Sequence, residues 1–129
     1  MLTFPYLRKG EQSFPVVDVT LGAASRPLTV RALVDSGASF SVFRAEILAY
    51  LGLPLTHGKR LYLEGIGGRI LGYLHRLPAW VGRAKFPLLV VFSQELNVSF
   101  NLLGRNNFVH QFRGVFDERA RVVRLQPYE

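Results

Sequence analysis

The segment "LVDSGA" at positions 33–38 places one carboxylate, Asp35, directly after an apolar run and before three of the smallest side chains. The apolar run predicts a strand that enters the core, so that the carboxylate at its end is partly desolvated. A partly desolvated carboxylate can exchange protons with a substrate or a water molecule. The small residues Ser36, Gly37 and Ala38 leave room for a substrate backbone to approach. Asp35 is therefore the candidate catalytic residue, and the three residues after it are candidates for supporting it.

Activation of water for attack on an amide is best served by two carboxylates that share one proton and titrate as a pair. The chain has three aspartates, and neither Asp18 nor Asp117 is followed by a loop of small residues. A second carboxylate is therefore expected from another copy of Asp35, placed opposite the first by the two-fold axis of a homodimer. The simpler interpretation is a turn aspartate that caps its own loop.

The pattern of apolar and turn residues predicts an all-β domain with one or two short helices. A chain of 129 residues with this composition predicts one domain that spans residues 1–129. Strands are predicted at 13–21, 27–34, both sides of "GIGG" within 59–82, 85–92, 100–104 and both ends of 114–125. A turn is predicted at 22–26. One helix is predicted in the central part of 40–54, and about two helical turns are predicted at 105–112.

Two segments together resemble the paired signature of retropepsin-like aspartic proteases, the one-lobed relatives of pepsin. They are "ALVDSGAS" (32–39) and "NLLGRNNF" (101–108). The similarity in the order of elements extends from about residue 13 to residue 125. The resemblance implies a closed, barrel-like, homodimeric fold in which the two segments cross beneath the active site. It also implies that Gly104 lets them pack closely and that Arg105 supports the site.

The glycine-rich stretch "LEGIGGRILGY" (63–73) stands where this family has a mobile flap. The resemblance implies that Ile66 is the apolar tip that closes over a substrate and that the glycines give the hairpin its freedom. A substrate peptide would lie extended, bonded to the flap and to the floor at Gly37 and Ala38. A plain hairpin turn is the alternative. The residues assigned to the flap are Gly65, Ile66, Gly67 and Gly68.

The chain departs from the retroviral pattern in two ways. Ser39 occupies the position where those enzymes usually carry an acid, so Arg105 is expected to pair with Glu46 or with a backbone carbonyl. The stretch "RGVFDERARVVRLQP" after the second signature is closer to bacterial and DNA-damage-inducible-type members, which leaves open how two subunits meet.

Two phenylalanines near the signatures, Phe40 and Phe108, are either core residues or lining for substrate pockets.

The histidines His57, His75 and His110 are far apart and the chain has no cysteine. Neither a metal nor another cofactor is therefore expected.

The longest apolar run, "FPLLVVF" (86–92), is too short for a membrane helix. The first residues lack the pattern of a signal peptide, so a cytoplasmic location is the expectation.

The net charge is +7, but the arginines are spread along the chain without a basic run, which argues against a nucleic-acid partner. The sequence therefore predicts an aspartic endopeptidase that works as a homodimer on extended peptides. The alternative is a catalytically silent dimerisation or peptide-binding module with the same fold. A basic nucleic-acid-associated protein is the third class.

Overall fold

The computed structural model describes residues 1–22, 26–65 and 68–128. Within them one helix, α1 (Glu46–Leu51), and two 3₁₀ turns, Leu55–His57 and Val109–Gln111, accompany twelve strands. The strands are β1 (Leu2–Pro5), β2 (Leu7–Lys9), β3 (Gln12–Phe14), β4 (Val16–Leu21), β5 (Leu28–Val34), β6 (Ser41–Arg44), β7 (Lys59–Gly65), β8 (Gly68–Val81), β9 (Ala84–Ser93), β10 (Asn101–Leu103), β11 (Phe112–Asp117) and β12 (Val122–Pro127).

Seven strands form the main sheet, in the order β4-β5-β10-β6-β9-β8-β7. Strand β4 also pairs with β8 through Thr20 and Leu21. The series of paired strands that begins at β4 therefore leads back to β4 through β8. Most neighbours are antiparallel, but β10 runs parallel to β5 and β6 runs parallel to β9. The short strand β10 therefore lies between two strands that are distant from it in sequence.

The core is built from the inward faces of these strands. In β4 the residues Val17, Val19 and Leu21 are buried while Asp18 between them is exposed, which is the alternation that one solvated face requires. Strand β9 is buried on both faces from Val90 to Ser93, as its continuous apolar run predicts, whereas Lys85 and Pro87 in its first half are exposed.

The all-β class, the strands and the short central helix that the sequence predicts are confirmed. Helix α1 ends at Gly52, whose φ of 75° is left-handed and whose N–H donates to the carbonyl of Ala49. The first residues of the stretch predicted to contain the helix form β6 instead. The turn predicted at 22–26 and the tip of "GIGG" fall partly outside the described residues, at 23–25 and 66–67.

The prediction of about two helical turns at 105–112 is wrong. Only Val109–Gln111 is helical, as a single 3₁₀ turn. The chain must extend again at Phe112, because this residue is buried against Phe86 and Phe108 and its backbone pairs with Pro127. Packing of the two ends of the segment into the core therefore leaves room for only one turn.

The chain ends form a second sheet with the order β1-β12-β11. Strand β1 pairs with β12 of the same chain, from Leu2 opposite Leu125 to Pro5 opposite Val122. The N-terminal strands β1 and β2 have no clear alternating pattern in the sequence, and the sequence does not predict them.

In the described part of the chain, no helix has the length and apolar character needed to cross a membrane.

Tyr6 links the first strands to the turn between β11 and β12 through two hydrogen bonds. Its backbone N–H donates to the carbonyl of Arg121 at 2.8 Å, and its hydroxyl donates to the carboxylate of Glu118. Burial and then this hydrogen bond raise the pKa of Tyr6 to about 12. The neutral phenol is thus favoured in the folded state.

We expect one tyrosine to titrate late, with a midpoint of about 12, in an ultraviolet absorbance titration of the folded protein. The late step should be absent in Tyr6→Phe. The raised pKa also means that this contact stabilises the fold fully below the ordinary tyrosine pKa of about 10, and that the contribution is lost as the pH rises toward 12. An unchanged late step in Tyr6→Phe would contradict the assignment.

Candidate active site

Asp35 lies directly after β5, at the point where the chain leaves the sheet. It is half-buried, and its backbone N–H donates to the carbonyl of Leu103 at 2.9 Å. Its carboxylate oxygen Oδ1 accepts the N–H of Gly37 at 2.9 Å, and its carbonyl accepts the N–H of Ala38 at 3.1 Å. The loop that follows is therefore a tight turn closed by the Asp35 side chain, with Ser36 exposed on it.

The second signature segment passes against this turn. After β10, the N–H of Arg105 donates to the carbonyl of Ala38 and the N–H of Asn106 donates to the carbonyl of Ser39, both at 2.9 Å. Residue Phe40 forms an isolated parallel bridge with Asn106. The two segments are thus joined by main-chain hydrogen bonds.

Gly104 lies where these two backbones come closest. A Cβ atom added to it would lie less than 3.0 Å from the carbonyl carbon and oxygen of Phe40, and 2.9 Å from the carbonyl oxygen of Ala38. Only glycine fits between the backbones. The close packing expected from the resemblance has this steric cause.

Ser41 and Asn101 are supporting residues that the sequence did not single out. Ser41 is fully buried, and its hydroxyl accepts the N–H of Gly104 at 3.0 Å. The side chain of Asn101 accepts the N–H of Arg44 at 3.0 Å and donates to the carbonyl of Arg31 at 3.2 Å, which links β6 to β5. A serine inside the apolar run "SVF" was the signal available for Ser41, because a buried hydroxyl needs a partner.

Among the described residues, the guanidinium of Arg105 pairs neither with Glu46 nor with a backbone carbonyl, contrary to the prediction. It donates to the hydroxyl of Ser39 at 3.4 Å, the residue that stands where the retroviral pattern has an acid. The Arg105 side chain is exposed and borders a surface depression whose lining includes Ser39, Asn106 and His110. The departure at Ser39 thus leaves a charged group facing solvent beside the Asp35 turn.

The predicted flap stretch forms a β-hairpin of β7 and the first part of β8. Gly65 pairs with Gly68, and Leu63 pairs with Ile70; the tip residues Ile66 and Gly67 lie outside the described part. Gly65 and Gly68 belong to a different region of the sheet from the Asp35 turn. The structure therefore groups the predicted site residues into two sets, the turn with Gly104 and Arg105, and the hairpin.

The two faces of this hairpin differ in polarity. On one face the ring of Tyr62 stacks against the guanidinium of Arg69, whose carbon lies 3.9 Å from the ring centre. On the other face Leu63 and Ile70 are half-buried. At the base, the side chain of Glu95 accepts the N–H of Leu71 at 2.9 Å. The hairpin therefore has an apolar face and an anchored base.

The hypothesis that Phe108 lines a substrate pocket is wrong. Phe108 is fully buried in the core, with its ring centre 5.2 Å from that of Phe112. Phe40 is half-buried and takes part in the crossing of the two signature segments.

Within residues 1–22, 26–65 and 68–128, no cluster of three or more histidine, aspartate or glutamate side chains could hold a metal ion.

Comparison with known families agrees with this geometry. The family described as aspartyl protease matches residues 17–106, a range that contains the first signature segment, the hairpin and the second signature segment as far as Asn106. The chain therefore belongs to the aspartyl protease family. A search of curated proteins finds no match to it.

Proposed function

We propose that the protein is an aspartic endopeptidase, active as a homodimer that joins two Asp35 carboxylates in one site. The observation that carries the proposal is the position of Asp35, half-buried in a tight turn that is hydrogen-bonded to the segment around Gly104 and packs closely against it. Family membership supports peptide hydrolysis as the reaction. One chain supplies one such carboxylate, so the second comes from a second copy.

The chemistry follows from two carboxyl groups that share one proton. The ionised carboxylate takes a proton from water as the water oxygen attacks the carbonyl carbon of the peptide bond. The protonated carboxyl donates its proton to the carbonyl oxygen, which gives a tetrahedral diol. The first carboxyl then donates its proton to the nitrogen as the C–N bond breaks, and the second carboxylate takes a proton back from one hydroxyl of the diol, which becomes the new carboxyl group. Protons and charge balance without any other reactant.

The remaining predicted residues have roles in binding. The turn at Ser36, Gly37 and Ala38, in which Ser36 and Gly37 are exposed and Ala38 is half-buried, offers a floor of small residues that an extended peptide can approach. In this proposal the β7–β8 hairpin is the flap, and its glycines Gly65, Gly67 and Gly68 let the apolar tip Ile66 close over the peptide. Arg105 supports the turn through its N–H bond to Ala38.

We further propose that residues 1–129 form a single barrel-like domain. The order of the seven strands and the return pairing of β4 with β8 support this description.

The test is cleavage of an unfolded protein substrate from acidic to neutral pH, in the presence of a metal chelator, with products read by mass spectrometry. We expect internal cleavage that persists in chelator and that incorporates one oxygen atom from labelled water into each new carboxyl end. Binding of unfolded chains without any cleavage at any pH would instead support the silent peptide-binding module.

A further inference from the structure

The surface depression beside the Asp35 turn has the composition of an anion-binding site. We propose that this depression, bordered by Ser39 and Arg105, binds a carboxylate side chain of the peptide substrate. The enzyme would then select peptides that carry an acidic residue near the cleaved bond. The inference rests on the proposed function and names the chemical class of its substrate.

The lining of the depression consists of hydrogen-bond donors. The residues that border it are Ser39, Arg105, Asn106 and His110, and all four are exposed. They supply a hydroxyl, a guanidinium, an amide and an imidazole, and none of these groups carries a negative charge. A guanidinium surrounded by neutral donors suits a carboxylate, because both carboxylate oxygens accept hydrogen bonds and one arginine can donate to both.

Arg105 forms no ion pair with a carboxylate among the described residues. Arg124, by contrast, lies 3.3 Å from the carboxylate of Asp117. In the described part of the chain the guanidinium of Arg105 donates to the Ser39 hydroxyl alone, and at 3.4 Å this hydrogen bond is long. Because a guanidinium has five N–H donors, most of those of Arg105 are available to a ligand.

The backbone around the depression is anchored by hydrogen bonds. The N–H of Arg105 donates to the carbonyl of Ala38 at 2.9 Å, and the carbonyl of Arg105 accepts the N–H of His110 at 3.2 Å. The N–H of Asn106 donates to the carbonyl of Ser39 at 2.9 Å. Since these bonds already order the backbone of all four lining residues, a ligand does not have to order it on binding, which lowers the cost of association.

The depression begins where the proposed substrate floor ends. In the proposed site the peptide lies along Gly37 and Ala38, and Ser39 follows after one Cα–Cα step of about 3.8 Å. An extended peptide that continues in this direction brings a side chain over Ser39 and Arg105, because every second side chain of a strand points to the same face. In a two-fold dimer each subunit contributes one such depression. The preference for an acidic residue therefore falls at one position on each side of the cleaved bond.

The charge of the whole chain favours the same class of ligand. The net charge is +7, and a surplus of this sign attracts acidic peptides and raises the rate of encounter. This long-range attraction does not depend on where in the peptide the acid lies, whereas binding in the depression does. A variant that loses one positive charge elsewhere on the surface therefore separates the two effects.

The test compares peptides that differ only in glutamate or glutamine at one position. A parent peptide with a central pair of phenylalanines and blocked ends is varied at one flanking position at a time, so that the varied side chain is the only carboxylate. Mass spectrometry gives kcat/KM for each pair of peptides. For the wild type we expect glutamate to be preferred by about fivefold or more at one position on each side of the cleaved bond.

Two variants should remove this preference by different routes. Ser39→Asp places a carboxylate within reach of the Arg105 guanidinium, which lies 3.4 Å from the Ser39 hydroxyl. The arginine is then paired within the chain, and the glutamate-to-glutamine ratio of kcat/KM should fall to about one or lower, since like charges repel. Arg105→Gln should lower the ratio in the same way. Arg83→Gln is the matched control: Arg83 is exposed in the turn between β8 and β9, and this variant should keep the wild-type ratio.

Failure of the inference and failure of the proposed function give different results. Equal cleavage of the glutamate and glutamine peptides by the wild type, or a preference that Ser39→Asp retains, would overturn the inference and leave the proposed function intact. If no peptide is cleaved, the proposed function fails, and binding of the same peptides, labelled and followed by fluorescence anisotropy, tests the inference. Tighter binding of glutamate peptides that Ser39→Asp abolishes would support it, and equal or absent binding would overturn it.

Discussion

Asp35→Asn should lower peptide cleavage by about 10²- to 10⁴-fold or more, the range that general acid–base groups contribute, while the fold and the dimer persist. The asparagine side chain has the same shape and retains an oxygen that can accept the Gly37 N–H, which Asp35 Oδ1 accepts at 2.9 Å. The turn therefore keeps its hydrogen bond. What is lost is the group that takes a proton from water, and in a homodimer it is lost from both subunits.

Asp18→Asn is the matched control for this variant. Asp18 lies on β4 with 61% of its side chain exposed, 3.9 Å from Arg31, and exposed ion pairs of this kind contribute little to stability. Cleavage and stability should stay at the wild-type level. Wild-type cleavage by Asp35→Asn would end the proposal, and circular dichroism with sedimentation would show whether a loss of activity has a structural origin.

Mixed dimers would separate a shared site from two independent ones. If wild type and Asp35→Asn are mixed in equal amounts and allowed to exchange subunits, about a quarter of the dimers have two wild-type chains and about half are mixed. A site that needs both carboxylates leaves activity at about a quarter of that of the wild-type protein at the same total concentration, whereas independent sites leave about half. The second result would contradict the paired carboxylates even if Asp35 proves essential.

The sequence could predict those parts of the fold that depend on local pattern. The alternation in β4, the continuous apolar run of β9 and the stop at Gly52 each produced the expected element, because burial of one face, burial of both faces and a left-handed residue leave distinct traces in a sequence. The segment at 105–112 failed for the opposite reason. Its backbone is determined by the burial of Phe108 and Phe112 among distant residues, which no local pattern records.

In the candidate site, too, the sequence predicts the residues that belong to a local motif and does not predict those that depend on distant contacts. Asp35 and Gly104 could be singled out, because a lone acid before small residues and a glycine after an apolar pair are visible as motifs. The partner of Arg105 could not, since it depends on the distance between two segments more than 60 residues apart. Ser41 could not be predicted for the same reason. Its hydroxyl accepts a hydrogen bond from the N–H of Gly104, and only the folded chain brings these two residues together.

Gly104→Ala should destabilise the fold by about 3 kcal/mol or more, at the upper end of overpacking effects. The added Cβ would lie less than 3.0 Å from the Phe40 carbonyl and 2.9 Å from the Ala38 oxygen. Both obstacles are backbone atoms, which have no rotamer that relieves the contact. Moving either segment away would also stretch the 2.9 Å bond from the Arg105 N–H to the Ala38 carbonyl.

Gly65→Ala separates this clash from the general effect of replacing glycine. No atom lies within 4 Å of a Cβ built on Gly65, so urea denaturation should give a free energy of unfolding within about 0.5 kcal/mol of the wild type. Equal stability of the two variants would show that the crossing can relax. Because Asp35 N–H donates to the carbonyl of Leu103, the residue before Gly104, any Gly104→Ala protein that still folds should bind peptides but cleave them more slowly. The same displacement that relieves the clash would move the Asp35 carboxylate away from its partner.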